Sequence, residues 1–373
     1  MESKIDDVTT AEETIAEKIE GLGTDEDASF GGYPIDTLLI RQEARTVHDI
    51  VRRIGQEAYV MEPDFQRAYV WNEDKQSKLI ESVLLRIPLP VLYLAEDTKG
   101  KMIVVDGLQR LRTFERFVNN RFKLRLKEQK ELNGKFFKGL SPKLQNRVED
   151  CNLILYIIDS KVPERARLDI FDRVNSGEPL TRQQMRNSLY QGLGTKFLKE
   201  EAETDLFKEA TGKSLRFLTM RDREFVNRFC AFKLLGVEDY RGDMDDFLAR
   251  GLLAMNGMQS GEIESLRNSF RTGVANNWEV FGKHAFRKHK TANAERSLIN
   301  ASLWDVMSVG LSDISREVVE AKSPQLRDAF YHAMDDDGFI SAITYSTNGT
   351  LRVRERFAFS RLMLKGVFDA DED

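Results

Sequence analysis

Cysteine is almost missing from this chain. Only Cys151 and Cys230 occur among 373 residues, and no C-x-x-C spacing exists to hold zinc or to form a redox pair. The four histidines, His48, His284, His289 and His332, are scattered without metal-ligand spacing, and no H-E-x-x-H is present. Nowhere do eighteen apolar residues run together, which excludes an apolar membrane-spanning helix. The opening MESKIDD has no apolar stretch behind a basic one, so the expectation is a protein outside the standard export route, at home in a reducing cytoplasm. No G-x-x-x-x-G-K-[ST] occurs either, so any nucleotide chemistry here is not of Walker type.

What is present is ordinary globular material, 41% hydrophobic and 31% charged, in a chain long enough for two domains. The charge is unevenly spread. Residues 1–30 carry −8 and the closing DADED carries −4, so a net −5 conceals a body of +7. A basic body between acidic ends suits an anionic ligand, and acidic tails equally serve plain solubility.

The pattern along the chain predicts an α+β fold: a small mixed-sheet domain followed by an α-helical domain. Residues 1–33 read as an acidic flexible arm, 34–190 as the sheet domain, 191–368 as the helical domain and 369–373 as an acidic tail. In the first domain, 45–54 places Val47, Ile50, Val51 and Ile54 on one helical face. Strands are expected at 57–61, 91–97, 102–105 and 152–159. A helix over 76–87 points Leu79, Ile80, Val83, Leu84 and Ile87 inward. RFKLRLK (121–127) alternates strictly and predicts a half-buried strand with a cationic outer face of Arg121, Lys123, Arg125 and Lys127. Residues 121–147 hold nine basic and two acidic side chains, a candidate nucleic-acid surface or an edge strand protected by lysine. RARLDIFDRVN reads as a helix, and Thr181 with Gln184 three residues on has capping-box spacing.

The stretch with most chemical content is VVDGLQRLRTF (104–114), an apolar strand, a glycine turn and a helix start. The first N–H groups of a helix lack partners and carry the positive end of its dipole, so such a corner binds anions. Arg110 could add a bidentate phosphate contact, and Asp106 could hold a divalent cation or orient a water. Spacing alone also permits a structural account, with Asp106 as N-cap and Gln109 at N3 forming a capping box.

VVDGLQRLRTF, preceded by FQRAYVWNEDKQSKLIESVLLRIPLP and followed by FDRVNSGEPLTRQQMRN, resembles the DGQQR-motif family of ParB/sulfiredoxin-like domains, that of the N-terminal half of GmrSD-type restriction enzymes. The likeness extends over about residues 40–365 through RDREFVNRFCAFKLL, SLWDVMSVGL and RVRERF. It implies a ParB/sulfiredoxin-like domain with a helical extension, nucleotide binding, and in several members NTP hydrolysis with Mg²⁺ that licenses DNA cleavage in anti-phage defence. By match, Asp106, Gly107, Gln109 and Arg110 fall on the signature. Gln66 and Arg67 fall on the FQR-Y-W element beside Tyr69 and Trp71, and Asn175, Gly177 and Arg186 on the N-S-G…R-N element. Leu108 stands where the motif usually has its first Gln, and the helical period puts it with the apolar face. No His-Asn-His nuclease pattern is present, so DNA cleavage is expected to need another protein.

Three functions follow as expectations: an Mg-dependent NTPase of a restriction system, a ParB-like DNA-binding module, or an inert scaffold or immunity partner. The expected partners are a nucleotide, DNA, and a nuclease or other defence protein, with no membrane.

Overall fold

The computed structural model describes residues 19–22, 39–61, 71–97, 99–174 and 181–369. The chain forms two compact units, residues 30–191 and residues 192–373 together with 1–29.

The first unit is built on a five-stranded mixed sheet. Its elements are β1 (Ile40–Thr46), α1 (Val47–Gly55), β2 (Tyr59–Val60), α2 (Glu73–Leu84), β3 (Leu92–Glu96), β4 (Met102–Asp106), α3 (Leu108–Val118), α4 (Pro142–Glu149), β5 (Asn152–Ile158), α5 (Glu164–Val174) and α6 (Arg182–Leu189). The strand order is β1-β5-β3-β4-β2. β3 runs parallel to β5 and antiparallel to β4, and the outer pairs are β1 antiparallel to β5 and β2 parallel to β4.

Alternation along the strands divides the core in two. Leu92, Leu94, Met102, Val104, Leu153, Leu155 and Ile157 face a layer that includes Ile50, Ile80, Leu108, Leu111, Phe114 and Val148. Ala95, Ile103, Val105 and Ile158 face the other way, onto Leu168, Phe171, Met185 and Leu189. Both faces of β4 are therefore covered, which is why MIVV reads as an unbroken apolar run.

Several local rules decide the boundaries. Thr46, expected inside the first helix, instead ends β1 in an extended conformation, and its hydroxyl accepts the Asp49 N–H at 3.2 Å as the N-cap of α1. The helix expected to reach Ile87 stops at Leu84. Arg86 takes a left-handed φ of 62°, the Ile87 N–H returns to Ser82 O, and Ile87 ends up exposed rather than inward. Thr181 and Gln184 do form the capping box their spacing predicts, opening α6.

Residues 121–127 correct another expectation. Phe122, Leu124 and Leu126 are buried and their basic neighbours exposed, as alternation requires, but the segment belongs to no strand. Its amides bond elsewhere: Arg125 N–H to Ser77 Oγ at 2.8 Å, Leu126 N–H to Asn133 Oδ1 at 3.0 Å, and Leu124 N–H to Lys135 O at 2.9 Å. Two side-chain acceptors and one loop carbonyl have taken the place of a ladder.

In the second unit the described elements are helical: α7 (Leu193–Ala202), α8 (Asp205–Thr211), α9 (Arg221–Leu235), α10 (Met244–Asn256), α11 (Ser260–Phe281), α12 (Ala301–Gly310), α13 (Arg316–Ala333), α14 (Asp337–Thr344) and α15 (Thr350–Phe368). Trp304 on α12 lies at the centre, against Phe207, Phe225 and Phe286, and its indole N–H donates to Phe225 O at 2.7 Å. Three helices are tied by a buried ionic triad. Asp305 accepts Arg228 Nε at 2.8 Å and Nη2 at 2.6 Å, and Arg356 Nη2 at 2.9 Å. The segments RDREFVNRF, SLWDVM and RVRERF thus contribute the members of one structural knot.

One described residue of the acidic arm is held by backbone bonds. Glu20 forms a β-bridge with Asn300, its N–H donating to Ile299 O and its carbonyl accepting the Ala301 N–H. None of the described helices is long and apolar enough to cross a membrane.

Candidate functional site at the strand-to-helix corner

β4 ends at Asp106 and α3 begins at Leu108, so Gly107 alone turns the chain. It does so at φ 99°, and a Cβ there would overlap the buried Leu92 side chain. Both the backbone conformation and the close approach demand glycine.

Gly107 is the N-cap of α3 and has no side chain to cap with, so the capping box between Asp106 and Gln109 does not form. Those two residues have other partners. Gln109 Oε1 accepts the Trp71 N–H at 3.2 Å, and Asp106 Oδ2 accepts Arg110 Nη2 at 2.6 Å.

Arg110 is more committed than its sequence suggests. Besides Asp106 it donates to Pro90 O and, at 3.1 Å, to Val91 O. Its side chain is 11% exposed, while that of Asp106 is 39% exposed. Burial pulls the guanidinium pKa down from its ordinary value and the Asp106 carboxylate pushes it back up. Arg110 therefore faces inward as a clamp on the entry to β3, in place of the outward phosphate contact expected of it. The accessible group at the corner is the Asp106 carboxylate, held by its arginine.

α3 carries a second set of polar contacts that the sequence reading missed. Arg112 Nη2 donates to Met61 O at 2.8 Å, Arg116 Nη1 donates to Gln76 Oε1 at 2.9 Å, and Gln76 Nε2 donates to Trp71 O. Gln109, Arg112 and Arg116 recur at three- and four-residue intervals, one helical stripe, and that spacing is the signal that could have revealed them. The stripe holds Met61 and Trp71, the residues that flank segment 62–70.

Gln66, Arg67 and Tyr69 fall in that segment, and Asn175 and Gly177 in 175–180; all lie outside the described residues. Trp71 packs partly buried against the core. Arg186 is buried on α6, with Nε donating to Gln183 Oε1 at 3.1 Å, so it is not a surface ion pair. Leu108 is buried in the core, as its helical position predicts. Among the described residues no group of three or more His, Cys, Asp or Glu could hold a metal ion.

The basic surface also differs from its outline in sequence. Arg121 pairs with Glu115 at 3.3 Å and Arg125 with Glu73 at 2.6 Å, so two of the four predicted cations are offset. Two hollows lie on this unit. One, of about 520 Å³, is lined by residues that include Arg86, Lys143, Arg147, Asp150 and Cys151. The other, about 670 Å³, is lined by Asn120, Gly134, Lys135, Phe136, Lys138 and Gly139.

Residues 47–191 match the family described as GmrSD restriction endonuclease, N-terminal domain. The match ends at Gln191, the last residue of the sheet-bearing unit, and does not extend over the helical segments whose resemblance the sequence suggested. No curated protein and no solved structure matches the chain.

Proposed function

We propose that residues 47–191 form a nucleotide-handling module of a restriction-type defence protein, with the NTP phosphates at the turn between β4 and α3. The observation that carries this reading is the Asp106–Arg110 pair at the Gly107 turn: an accessible carboxylate, fixed by a buried guanidinium, beside the start of a helix whose N-cap has no side chain. The match to the N-terminal domain of a restriction endonuclease supports the setting.

The roles follow from the geometry. Backbone N–H groups at the start of α3 would meet phosphate oxygens, favoured by the helix dipole. Asp106 would orient a water or hold a cation, and Arg110 is a positioning residue that keeps the carboxylate turned outward. Arg67, Gln66 and Asn175 remain proposed nucleotide contacts through their motif matches, while Arg186, buried on α6, would act on a nucleotide only through its neighbours. A single carboxylate suits magnesium that arrives with its nucleotide, since that ion takes one or two protein carboxylates and draws its other ligands from phosphate and water. Bound there, the ion would supply charge neutralisation at the phosphates. Leu108 in the core speaks against an inert scaffold, because the residue that departs from the motif is buried rather than offered to a ligand.

A thermal-shift panel of ATP, GTP, CTP and dNTPs with Mg²⁺ tests it, since a ligand that binds the native state raises the melting temperature by mass action. At least one nucleotide is expected to stabilise the protein. Asp106→Asn is expected to fold normally, because the exposed carboxylate contributes little to the core, and to lose NTP turnover at least tenfold. Undiminished turnover in a folded Asp106→Asn removes the role of Asp106. Neither stabilisation nor turnover in the unaltered protein would favour the scaffold.

A further inference from the structure

The run 121–147 contains six lysines, Lys123, Lys127, Lys130, Lys135, Lys138 and Lys143, that are exposed and make no ion pair among the described residues. Two of them line the 670 Å³ groove, which has no carboxylate in its wall. Between those two stands Phe136, 44% exposed, while its neighbour Phe137 is buried against Phe117. A lone exposed apolar side chain needs no explanation. An exposed ring between two lysines in sequence, both without an ion pair among the described residues, in one shallow open groove is a more specific arrangement.

The groove is fixed by hydrogen bonds to its backbone. Asn120, at φ 57°, accepts the Lys138 N–H on Oδ1 at 2.8 Å, and Gln145 Nε2 donates to Leu140 O at 2.8 Å. Leu124 bonds both Gly134 and Lys135 through its carbonyl and amide. The backbone that carries Phe136 and the two lysines is thus set before any ligand arrives.

From this we infer a site for a single-stranded polynucleotide, with an unpaired base stacked on Phe136 and the flanking phosphates on Lys135 and Lys138. Stacking accepts any base, and lysines on a flexible stem follow a flexible backbone, so the site reads strandedness rather than sequence. A regular duplex has its bases stacked inside and offers Phe136 no face. This site is separate from the Asp106 corner and does not depend on the nucleotide reading.

The test is fluorescence anisotropy on the full chain without added nucleotide, using labelled oligothymidylate and oligouridylate of about 15 nucleotides and a blunt hairpin duplex. The single strands are expected to bind more tightly than the duplex, and the two arms tell DNA from RNA. Affinity should fall with salt at a log–log slope of about −1.4, as two phosphate contacts on a single strand require. Phe136→Ala should weaken binding about tenfold and Phe136→Trp should restore it, consistent with loss and recovery of one stacked base. Lys135→Glu with Lys138→Glu should weaken it further and flatten the salt slope. Asp106→Asn should bind the oligonucleotide normally, which separates this inference from the nucleotide proposal. Equal or tighter binding of the duplex, no binding at low salt, or a folded Phe136→Ala with undiminished affinity would overturn it. So would equally tight binding of polyglutamate, which would mark a surface for acidic protein.

Discussion

Gly107 is the residue on which the corner depends. Its φ of 99° is unfavourable for any side chain, and the space a Cβ would need is filled by Leu92. Gly107→Ala is expected to cost about 2–4 kcal/mol, combining left-handed strain with overpacking, measured as a lowered urea midpoint at unchanged slope. Arg110 makes a complementary case. Truncation to Ala strands two backbone carbonyls, at Pro90 and Val91, that lose their donor. A loss of about 1–3 kcal/mol is expected, with Lys recovering only part of it because one ammonium lacks the planar reach of a guanidinium. If Arg110→Ala melted with the unaltered protein, the clamp would be no more than a surface contact.

At the level of elements, α6 shows a sequence rule obeyed and residues 121–127 show one diverted. The Thr181–Gln184 box is local, three residues apart, and nothing distant interferes. Alternation at 121–127 reported correctly which side chains are buried, since that follows from extended backbone against a core. It could not report the absence of a ladder, because the amides are claimed by Ser77 and Asn133, far away or across a loop. The triad of Asp305 with Arg228 and Arg356 joins α9, α12 and α15 by the same logic of distant partners. One carboxylate there neutralises two buried guanidinium groups, so Asp305→Ala leaves both uncompensated. A destabilisation of about 3–5 kcal/mol is expected by chemical denaturation, against little change for truncating the exposed Asp335. A small effect would mean that water reaches the triad in the native protein.

For the whole molecule, charge and pH bring the parts together. His284 and His289 stack with ring centroids 4.8 Å apart, and burial lowers both pKa values, with Lys283 adding to the effect at His284. A histidine kept neutral by folding binds its proton more readily when unfolded. Its stabilising contribution is whole above the unfolded pKa of about 6.5 and is lost as pH falls from there toward the depressed folded value. The melting temperature should therefore drop on acidification below about pH 6.5, and less so in His284→Phe; an identical slope in that variant would assign the acid sensitivity elsewhere.

The sequence by itself determined the α+β class, the inward side chains of α1 and, Ile87 apart, of α2, the Thr181 cap and the place of the glycine turn. These depend on neighbours within a few residues, where periodicity and capping act. Only the tertiary structure decided that Arg110 turns inward to the carbonyls of Pro90 and Val91, that Glu73 and Glu115 offset two arginines, and that Phe136 stands exposed between lysines with no ion pair among the described residues. Those outcomes depend on which acceptors, charges and surfaces the fold brings together from distant parts of the chain, and spacing along the chain carries no record of such meetings.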